Sequence, residues 1–449
     1  MQHTKPLKIA IVGSGISGLG AAWLLSQQHD VTLFEKDDRL GGHSNTVDVS
    51  TAEGLVPVDT GFIVFNPVNY PNLVALFNHL DVLVTPTDMS FAVSLNHGAM
   101  EYSGSGLKGL FAQKSNLLNP RFLGMVKDIL RFYKMTQADG YHPGQLTLRE
   151  LLERGGYGKA FRDNHLLPMG AAIWSTPMDK MLDYPAEAFI RFCNNHGLLQ
   201  VKDRPQWHTV VGGSREYVTR LCDQVKGQIL THHAIRQVRR MGGKVLVSDR
   251  QGGEWMFDHI VFACHADQSL KLLSDIRPEE QDVLRHFRFE RNRAVLHSDT
   301  ALMPKRRSVW SSWNYLGNDI SQGGQLSVSY WMNALQPLAT TQPMIVTLNP
   351  YQEPREGSVH ASFLYDHPVF DQSAIEAQEQ LWHIQGNHNT WFCGAWCGYG
   401  FHEDGLQSGL LVAEALSDTQ RPWEIEGMNS RIPLPINWKP TRYKAEAAA

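Results

Sequence analysis

Cysteine is scarce in this sequence, and its few cysteines form no metal-binding pattern. Five cysteines occur among 449 residues, with neither a CxxC pair nor the combined Cys and His spacing of a zinc module. The thiols are therefore interpreted as reduced and mostly buried. Cys393 and Cys397 are spaced as CxxxC, which is more typical of two buried thiols than of a redox pair. We expect no metal centre.

The chain also lacks an excess of charge and any long apolar run. The 41 Lys and Arg residues nearly balance the 45 Asp and Glu residues, and the net charge of -4 argues against a nucleic-acid-binding surface over the whole protein. There is no run of about 18 apolar residues and no basic-then-apolar leader, so a cytoplasmic location is expected. A content of 42% hydrophobic and 19% charged residues is typical of a globular protein, and 449 residues are more than one usual domain.

The N-terminal segment has the order strand, glycine turn, helix, strand and acid. In this arrangement Gly13 makes the tight turn, Gly15 lets a pyrophosphate approach the backbone, and Gly18 lets the helix pack against the strand. Glu35 follows the second strand, near the usual interval of about 20 residues, where a carboxylate accepts the ribose hydroxyls of an adenosine. The pattern predicts a dinucleotide site whose phosphates lie at the helix N-terminus, beside Ser17.

The residues after Glu35 favour FAD over a nicotinamide cofactor. Lys36 is soon followed by Gly41, Gly42 and His43. An acid, a basic residue and a Gly-Gly pair in this order resemble the extended motif of the flavin-containing amine oxidase and phytoene desaturase superfamily. The resemblance implies that this loop clamps FAD from a second side. The residue after the Gly-Gly pair is usually Arg, so His43 implies a weaker phosphate contact.

Two further segments in the first two thirds of the chain carry the same resemblance. Gly61 and Phe62 match the superfamily segment that brings backbone to the isoalloxazine ring. Ile235 matches a residue whose backbone contacts the adenine, and the strand ending at Ala263 is implied to return to the nucleotide-binding sheet. These positions are therefore expected to bind the cofactor.

The C-terminal part gives independent support for FAD. Residues 390–413 contain a strand, a glycine loop and the start of an apolar helix. In the superfamily the last glycine of this strand contacts the pyrophosphate, and Gly394 matches it. Glu403 and Asp404 match the helix N-terminus that points at the flavin pyrimidine, where the helix dipole stabilises negative charge on reduction.

Motifs at both ends and in the middle of the chain imply a discontinuous cofactor domain. The resemblance implies an α/β fold in which a Rossmann-like FAD-binding domain carries an inserted α+β substrate domain, as in the two-domain amine oxidases. The predicted ranges are 1–80, 201–270 and 381–430 for the FAD-binding domain, 81–200 and 271–380 for the substrate domain, and 431–449 for a C-terminal tail.

Two positions depart from the amine oxidases of the superfamily. Those enzymes often place a lysine near the flavin at the start of a strand, and the matching position here is Asn292 or Arg293. By spacing from Gly409, the tyrosine of their aromatic cage becomes Phe401. Both departures argue against amine oxidation. His402, with an unperturbed pKa of about 6.5, is the candidate general base, unless it only hydrogen-bonds the flavin loop.

An apolar pocket favours a lipid-like substrate. The segment 164–175, which includes Trp174, has few charges, as expected for the wall of a hydrophobic pocket or for plain core. The sequence Gly-Phe-His-Glu-Asp-Gly at 400–405 resembles a bacterial subgroup found with cyclopropane-fatty-acid-synthase-like methyltransferases. One activity associated with that setting is the desaturation of a methylated fatty acyl chain. We therefore predict an FAD-dependent oxidoreductase that removes hydrogen from a hydrophobic small molecule or lipid.

Three alternatives remain open at this point. The first is a flavin amine oxidase, which the superfamily resemblance allows despite the missing lysine. The second is a non-redox isomerase that uses reduced FAD, as some relatives of desaturases do. The third is an FAD-binding partner of a lipid methyltransferase.

One segment suggests contact with a membrane. Residues 107–135 contain six basic residues and one acid, interleaved with apolar side chains. This pattern is typical of a helix on an anionic bilayer, although an amphipathic helix pair with a solvated basic face gives the same pattern. The corresponding prediction is a peripheral association with the inner face of the membrane.

Overall fold

The computed structural model of the chain describes residues 5–138, 140–174, 178–195, 197–200, 204–317 and 326–435. Its strands are β1 Lys8–Val12, β2 Asp30–Phe34, β3 Thr46–Thr51, β4 Gly54–Asp59, β5 Val84–Thr87, β6 Phe91–Leu95, β7 Met100–Ser103, β8 Trp207–Val210, β9 Gln228–Leu230, β10 Ile235–Met241, β11 Lys244–Asp249, β12 Glu254–Phe257, β13 His259–Phe262, β14 Arg288–His297, β15 Trp313–Gly317, β16 Leu326–Trp331, β17 Ile345–Leu348, β18 Val359–Val369 and β19 Thr390–Phe392.

The helices complete the element order. They are α1 Ile16–Leu25, α2 Pro71–His79, α3 Gly106–Leu110, α4 Pro120–Thr136, α5 Leu148–Arg154, α6 Lys159–Phe161, α7 Leu167–Trp174, α8 Met178–Met181, α9 Ala186–Asn195, α10 Arg215–Asp223, α11 Ala266–Leu272, α12 Pro278–Leu284, α13 Met332–Leu335, α14 Gln372–Gln380 and α15 His402–Leu416. A π-helical turn, Arg162–Leu166, joins α6 to α7.

A five-stranded parallel sheet lies under the glycine-rich turn. Its strand order is β19-β13-β1-β2-β9, and each neighbouring pair is parallel. Ile9, Ala10 and Ile11 have no solvent exposure, as expected for a central parallel strand that is covered on both faces. The strands come from three distant parts of the chain, so the sheet is complete only when all three are present.

Helices α1 and α15 cross closely beside this sheet. All ten residues of α1 are buried. A Cβ on Gly409 would lie 2.2 Å from the Ser17 carbonyl oxygen, and one on Gly405 would lie 2.8 Å from Ile16 Cγ2. Only glycine therefore permits this crossing, which brings the N-terminal ends of the two helices together.

A second sheet is built from the segments predicted for the substrate domain. Its strand order is β18-β14-β17-β16-β15-β6-β7. The pairing is antiparallel except between β15 and β6. The longest pair, β14 with β18, runs from Arg288 opposite Val369 to His297 opposite Val359. This pair carries the side chains that reach the cofactor segments.

A helical layer that includes α4, α7 and α9 has its own core. Phe122, Phe132 and Phe161 are almost completely buried there. His165, on the π-helical turn, lies 3.1 Å from both the Tyr102 and the Tyr133 hydroxyl groups. Both imidazole nitrogens therefore have partners, and the start of the 164–175 segment is core. The side chain of Trp174 lies outside the described residues.

The chain after α15 folds back onto the cofactor half. Arg421 forms a buried ion pair with Glu414 at 2.7 Å. Arg431 is 8% exposed and lies 3.4 Å from Asp404. The tail predicted from residue 431 therefore begins inside packed structure, and residues 436–449 lie outside the described residues.

The described residues contain neither a membrane-spanning helix nor a metal-binding cluster. Within the described residues, no helix has the length and apolar character needed to cross a bilayer. The same residues contain no group of three His, Cys, Asp or Glu side chains that could hold a metal ion. All five cysteines are free thiols.

Candidate active site

The glycine turn after β1 leaves open space where a phosphate would lie. Gly13 has a φ of +106°, and a Cβ there would lie 2.9 Å from the Ala263 carbonyl oxygen. A Cβ on Gly18 would lie 1.9 Å from the Gly13 carbonyl oxygen. Gly15 differs, because a Cβ there would meet no atom within 4 Å. Gly13 and Gly18 are therefore required by the packing of the protein itself, whereas the space at Gly15 is available to a ligand.

The N-terminus of α1 has the partial positive charge and the uncapped backbone needed to bind an anion. Its N-cap is Gly15, no side chain caps it, and its first turn contains no acid. The free N–H groups and the helix dipole therefore favour a phosphate at this end, beside the buried Ser17. Glu35 lies close by, is 7% exposed, and accepts hydrogen bonds from the Ser14 and Asp37 amides, each at 3.0 Å.

A second glycine-containing loop, residues 41–43, lies close to Gly15. Gly42 has a φ of +58°, and a Cβ there would lie 3.1 Å from Gly15 Cα. The Phe62 amide donates to the His43 carbonyl oxygen at 2.8 Å, and a Cβ on Gly61 would lie 2.1 Å from that oxygen. The 41–43 and 61–62 segments are therefore held together as one wall of the site.

The remaining residues predicted to bind the cofactor differ in their burial and contacts. Gly41 is buried, and its amide donates to the Ser14 carbonyl oxygen at 3.0 Å. Ile235 is buried at the start of β10, whereas Lys36 is exposed to solvent. The Gly394 amide donates to Ser408 Oγ at 3.0 Å, which joins the end of β19 to α15.

His43 carries an unpaired nitrogen in this wall. Its Nε2 atom is buried and has no hydrogen-bond partner among the described residues. The imidazole stacks on Tyr365 at 4.8 Å between ring centroids. Burial, with His367 as the next contribution, lowers the pKa of His43 well below its usual value. A neutral ring with an unpaired buried nitrogen suits a bound group that supplies the missing hydrogen bond, and FAD fits this requirement.

His402 lies at the first residue of α15 in a hydroxyl network. Its Nε2 atom is 2.9 Å from Ser44 Oγ and 2.8 Å from the Tyr217 hydroxyl oxygen. Its ring stacks on Phe62 at 3.9 Å. Burial lowers the pKa of His402 to about 3. These contacts favour the alternative that His402 fixes the loop around Ser44, because an imidazole with this pKa is a weak proton acceptor.

The two acids at the start of α15 bind protein groups. Glu403 accepts hydrogen bonds from the Asn72 amide at 3.0 Å and the Leu73 amide at 2.9 Å, so it stabilises the N-terminus of α2. Asp404 accepts from the Phe401 amide at 2.8 Å and lies beside Arg431. The Glu403 carboxylate thus joins α15 to α2, and the predicted cofactor contact of this helix N-terminus does not depend on that side chain.

The orientation of β14 shows which of Asn292 and Arg293 faces the site at the position where amine oxidases often have a lysine. Asn292 is 1% exposed and donates to His367 Nδ1 at 3.0 Å. Arg293 points to the other face and forms an ion pair with Glu353 at 2.6 Å, in which both side chains are exposed. Successive residues of a strand face opposite sides. The catalytic assignment of Arg293 is therefore corrected, and Asn292 occupies the inward position.

Phe401 joins the cofactor half to the helical layer. Its ring stacks on Phe192 of α9 at 4.7 Å, with an interplanar angle of 18°. The preceding Gly400 has a φ of +92°, and a Cβ there would lie 2.9 Å from the Phe370 ring. An aromatic contact thus covers the start of α15.

Sequence reasoning missed several residues of this site. Tyr217 and Ser44 form the His402 network, while Tyr365 and His367 project from β18 towards His43. Ser44 directly follows the motif at 41–43, whereas the other three residues lie outside the motifs described above. For Tyr365 and His367 the sequence signal is their spacing at i and i+2, which places both on one face of a strand.

A parallel sheet, an uncapped glycine-rich helix start and a second glycine clamp define a dinucleotide-binding flavoprotein of the two-domain type. The model of the family described as flavin containing amine oxidoreductase matches residues 16–294. The chain belongs to this family, its cofactor is FAD, and the family is one of FAD-dependent oxidoreductases. The predicted superfamily, fold class and cofactor are confirmed.

The chain is similar to two kinds of flavin enzyme over part of its length. It is 27% identical over 252 residues to a putative flavin-containing monoamine oxidase of Mycobacterium tuberculosis, covering 54% of each chain. It is 34% identical over 104 residues to a 4,4'-diapophytoene desaturase of Staphylococcus aureus, covering 19% of this chain and 20% of the relative. The match thus spans about half of the first relative's length and a fifth of the second's.

Solved structures share the fold over nearly the full chain. A CLA-producing fatty acid isomerase from P. acnes has a TM-score of 0.64 at 16% identity and covers 92% of this chain and 99% of its own. A cyclohexylamine oxidase from Brevibacterium oxydans has a TM-score of 0.64 at 15% identity, with the same coverage. At such identities these structures establish the fold alone.

Proposed function

We propose that the protein is an FAD-dependent oxidoreductase that removes hydrogen from a hydrophobic substrate, such as a methylated or otherwise modified fatty acyl chain. The observation that carries this proposal is the aromatic and uncharged surface next to the cofactor segments. Phe401 stacks on Phe192, and the imidazole of His43 stacks on Tyr365. An apolar chain can be covered by such a surface with few polar groups left unpaired.

The electrostatics of the site support an uncharged substrate portion. Burial lowers the pKa of His367 to about 4 and that of His402 to about 3, so both rings are neutral near pH 7. The carboxylates of Glu403 and Asp404 are occupied by backbone amides and by Arg431. Neither acid has any solvent exposure, so an alkylammonium group could not contact them without displacing these hydrogen bonds, and its desolvation would be costly.

The chain's own residues would hold the cofactor and exclude water. The open space at Gly15 and the α1 N-terminus accept the pyrophosphate, and His43 Nε2 offers a buried hydrogen-bonding atom. FAD, when bound, supplies acceptance of two electrons and hydrogen from the substrate. Asn292 and His367 are held by their mutual hydrogen bond, and Asn349 donates to Asn292 Oδ1 at 2.7 Å. This chain of bonds fixes the orientation of polar groups on the sheet side of the site.

Amine oxidation is the second candidate, and the monoamine oxidase relative favours it. Anaerobic titration separates the two. The FAD-loaded protein is mixed, without oxygen, with phospholipids that bear methylated or cyclopropane acyl chains, and separately with a set of primary and secondary amines. We expect the visible flavin band to bleach with the lipids alone. Bleaching by amines alone would refute the lipid proposal and establish amine oxidation.

A matched pair of variants tests whether the aromatic contact defines the substrate side. Phe192→Leu removes the ring that stacks on Phe401, whereas Phe132→Leu removes a buried ring from the same helical core. Both changes should lower stability by similar amounts, about 1 kcal/mol. Only Phe192→Leu should raise the KM of the bleaching substrate. Equal KM changes in the two variants would contradict the assignment.

Single-turnover product analysis addresses the remaining alternatives. Oxidative removal of hydrogen yields one oxidised product per reduced flavin, whereas a non-redox isomerase would yield an isomer with no net flavin reduction. A chain that acts only as a partner of a lipid methyltransferase would give neither product and would co-purify with that enzyme. The proposal requires the first outcome.

A further inference from the structure

Exposed leucines are concentrated in one stretch of the chain, from α3 to α4. Among the described residues, eight leucines are strongly exposed, and five of them fall between residues 107 and 130. Their exposed fractions are 76% for Leu107, 51% for Leu117, 88% for Leu118, 43% for Leu123 and 53% for Leu130. Single exposed leucines are ordinary on protein surfaces, but such a local concentration marks an interaction site.

Helix α4 arranges part of this set as a stripe. Leu123, Lys127, Leu130 and Lys134 follow the spacing i, i+4, i+7 and i+11, so they share one face of the helix, and all four are exposed. The opposite face carries buried aromatic and aliphatic side chains, including Phe132 at 0% exposure. One face of the helix therefore packs into the core. The other face exposes a stripe of leucines and lysines to solvent.

A short 3-10 helix, Lys114–Leu118, precedes α4 and is held in place by hydrogen bonds. The Gln113 side chain accepts from the Glu101 amide at 2.8 Å, and Asn116 Nδ2 donates to the Glu101 carbonyl oxygen at 3.1 Å. Asn119 caps α4 by accepting from the Arg121 amide at 3.0 Å. Leu117 and Leu118 lie between these anchors. Both leucines are thus exposed on a segment whose backbone is fixed.

The charge of the same segment is strongly positive. Between residues 106 and 135 there are six basic residues and a single acid, Asp128. Asp128 is already engaged, because it pairs with Arg131 at 3.1 Å and accepts from the Gly158 amide at 2.9 Å. The other basic residues form no ion pair with a described residue; they are Lys108, Lys114, Arg121, Lys127 and Lys134. The five exposed leucines and these five cations are called the leucine–lysine face.

We propose that the leucine–lysine face binds the surface of an anionic lipid bilayer. The leucines would enter the boundary between headgroups and acyl chains, while the lysines and arginine remain at the level of the phosphates. Anionic lipid complements the unpaired positive charge, with a gain of about 1 kcal/mol for each basic residue near the surface. A second copy of the same face would oppose like charges, so self-association through it is disfavoured.

The position of the face connects it to the substrate side of the protein. Phe122 and Phe132 of α4 share a core with Phe192 of α9, and Phe192 stacks on Phe401. The bilayer would therefore lie on the outer side of the same helical layer that covers the start of α15. This interaction goes beyond the proposed function, and it can be measured as binding of the flavin-loaded protein without any substrate turnover.

Vesicle co-sedimentation tests the proposal directly. The FAD-loaded protein is incubated with vesicles of phosphatidylcholine alone and with vesicles that also contain phosphatidylglycerol, at low and high salt. We expect binding to the mixed vesicles, with affinity falling as salt screens the charges. The double variants Leu117→Ser/Leu118→Ser and Lys127→Glu/Lys134→Glu should each weaken binding by at least about tenfold.

Two double variants elsewhere on the surface are matched controls. Leu55→Ser/Leu364→Ser changes leucines that are 71% and 62% exposed, and Lys226→Glu/Arg250→Glu makes the same charge change at exposed positions. Both should bind vesicles as the unaltered protein does, and the flavin spectrum verifies that each variant is folded. Absence of binding to mixed vesicles, or equal loss in test and control variants, would overturn the proposal. The proposal would also be overturned if the protein formed a dimer in lipid-free solution and only the Leu117→Ser/Leu118→Ser variant dissociated it.

Discussion

The substitution Gly15→Ala should weaken FAD binding without changing the stability of the FAD-free protein. Gly15 has φ -65° and ψ 175°, a conformation that alanine adopts without strain, and a Cβ there would meet no protein atom within 4 Å. The substitution should reduce backbone entropy in the unfolded chain, which stabilises by about 0.4 to 1 kcal/mol. Alanine is a poorer N-cap than glycine by a similar amount, about 0.5 to 1 kcal/mol. The free energy of unfolding of the FAD-free protein should therefore change little.

Binding of FAD should respond differently. A methyl group at Gly15 occupies the position where the pyrophosphate approaches the backbone. Overpacking by one methyl group costs about 1 to 3 kcal/mol, which corresponds to an increase in Kd of about 5- to 150-fold. Gly124→Ala is the matched control, because its Cβ would also meet nothing within 4 Å, on the exposed part of α4. It should stabilise the protein by up to about 1 kcal/mol and leave the Kd unchanged.

The assay needs FAD-free protein prepared from both variants. Chemical unfolding gives the stability of each, and quenching of flavin fluorescence on titration gives the Kd. Gly18→Ala serves as the opposite case, because its Cβ would lie 1.9 Å from the Gly13 carbonyl oxygen and should prevent correct packing of α1. If Gly15→Ala bound FAD as tightly as the unaltered protein, the placement of the pyrophosphate at Gly15 would be refuted.

Three further predictions concern charge and protonation. Arg421→Met leaves Glu414 buried and unpaired, so the free energy of unfolding measured in urea should fall by about 3 to 5 kcal/mol. Because the pKa of His402 is about 3 in the folded protein and about 6.5 when unfolded, its contribution to stability is present above pH 6.5 and is lost as pH falls towards 3. His402→Phe should therefore make the decrease in Tm between pH 6.5 and 4 shallower, and an unchanged slope would contradict the pKa assignment. Arg293→Ala should alter the free energy of unfolding by less than about 1 kcal/mol and leave the flavin spectrum unchanged, whereas Asn292→Ala should shift that spectrum.

The cofactor-binding turn was predictable because its requirements are local. Gly13, Gly18 and Glu35 lie within one strand–helix–strand unit, and the short distances that exclude a side chain at the two glycines arise inside that unit or at the adjacent Ala263. Sequence spacing of such a unit follows directly from backbone geometry. The hydroxyl network of His402 was not predictable in this way. Ser44 and His402 are 358 residues apart in sequence, and no periodicity relates them.

The orientation of side chains was harder to predict than their position along the chain. Arg293 and Asn292 are adjacent on β14, and an error of one residue in register reverses which side chain faces the site. Glu403 lies at the start of α15, as the motif predicts. The direction of its side chain, however, depends on α2, whose backbone amides donate hydrogen bonds to it. A motif fixes the position of a residue along the chain, whereas orientation depends on partners that the motif does not contain.

The strand order of the parallel sheet has a consequence for the synthesis of this protein. β1 needs β13 as its neighbour, and β13 needs β19, which ends at Phe392. A growing chain therefore exposes one apolar edge of β1 until more than half of the protein has been translated, and the helix α15 that packs on α1 emerges later still. Such long-range pairing is slow and favours aggregation of incomplete chains. We expect capture of FAD to be a late event, because the two helix N-termini that meet at the cofactor site are made at opposite ends of translation.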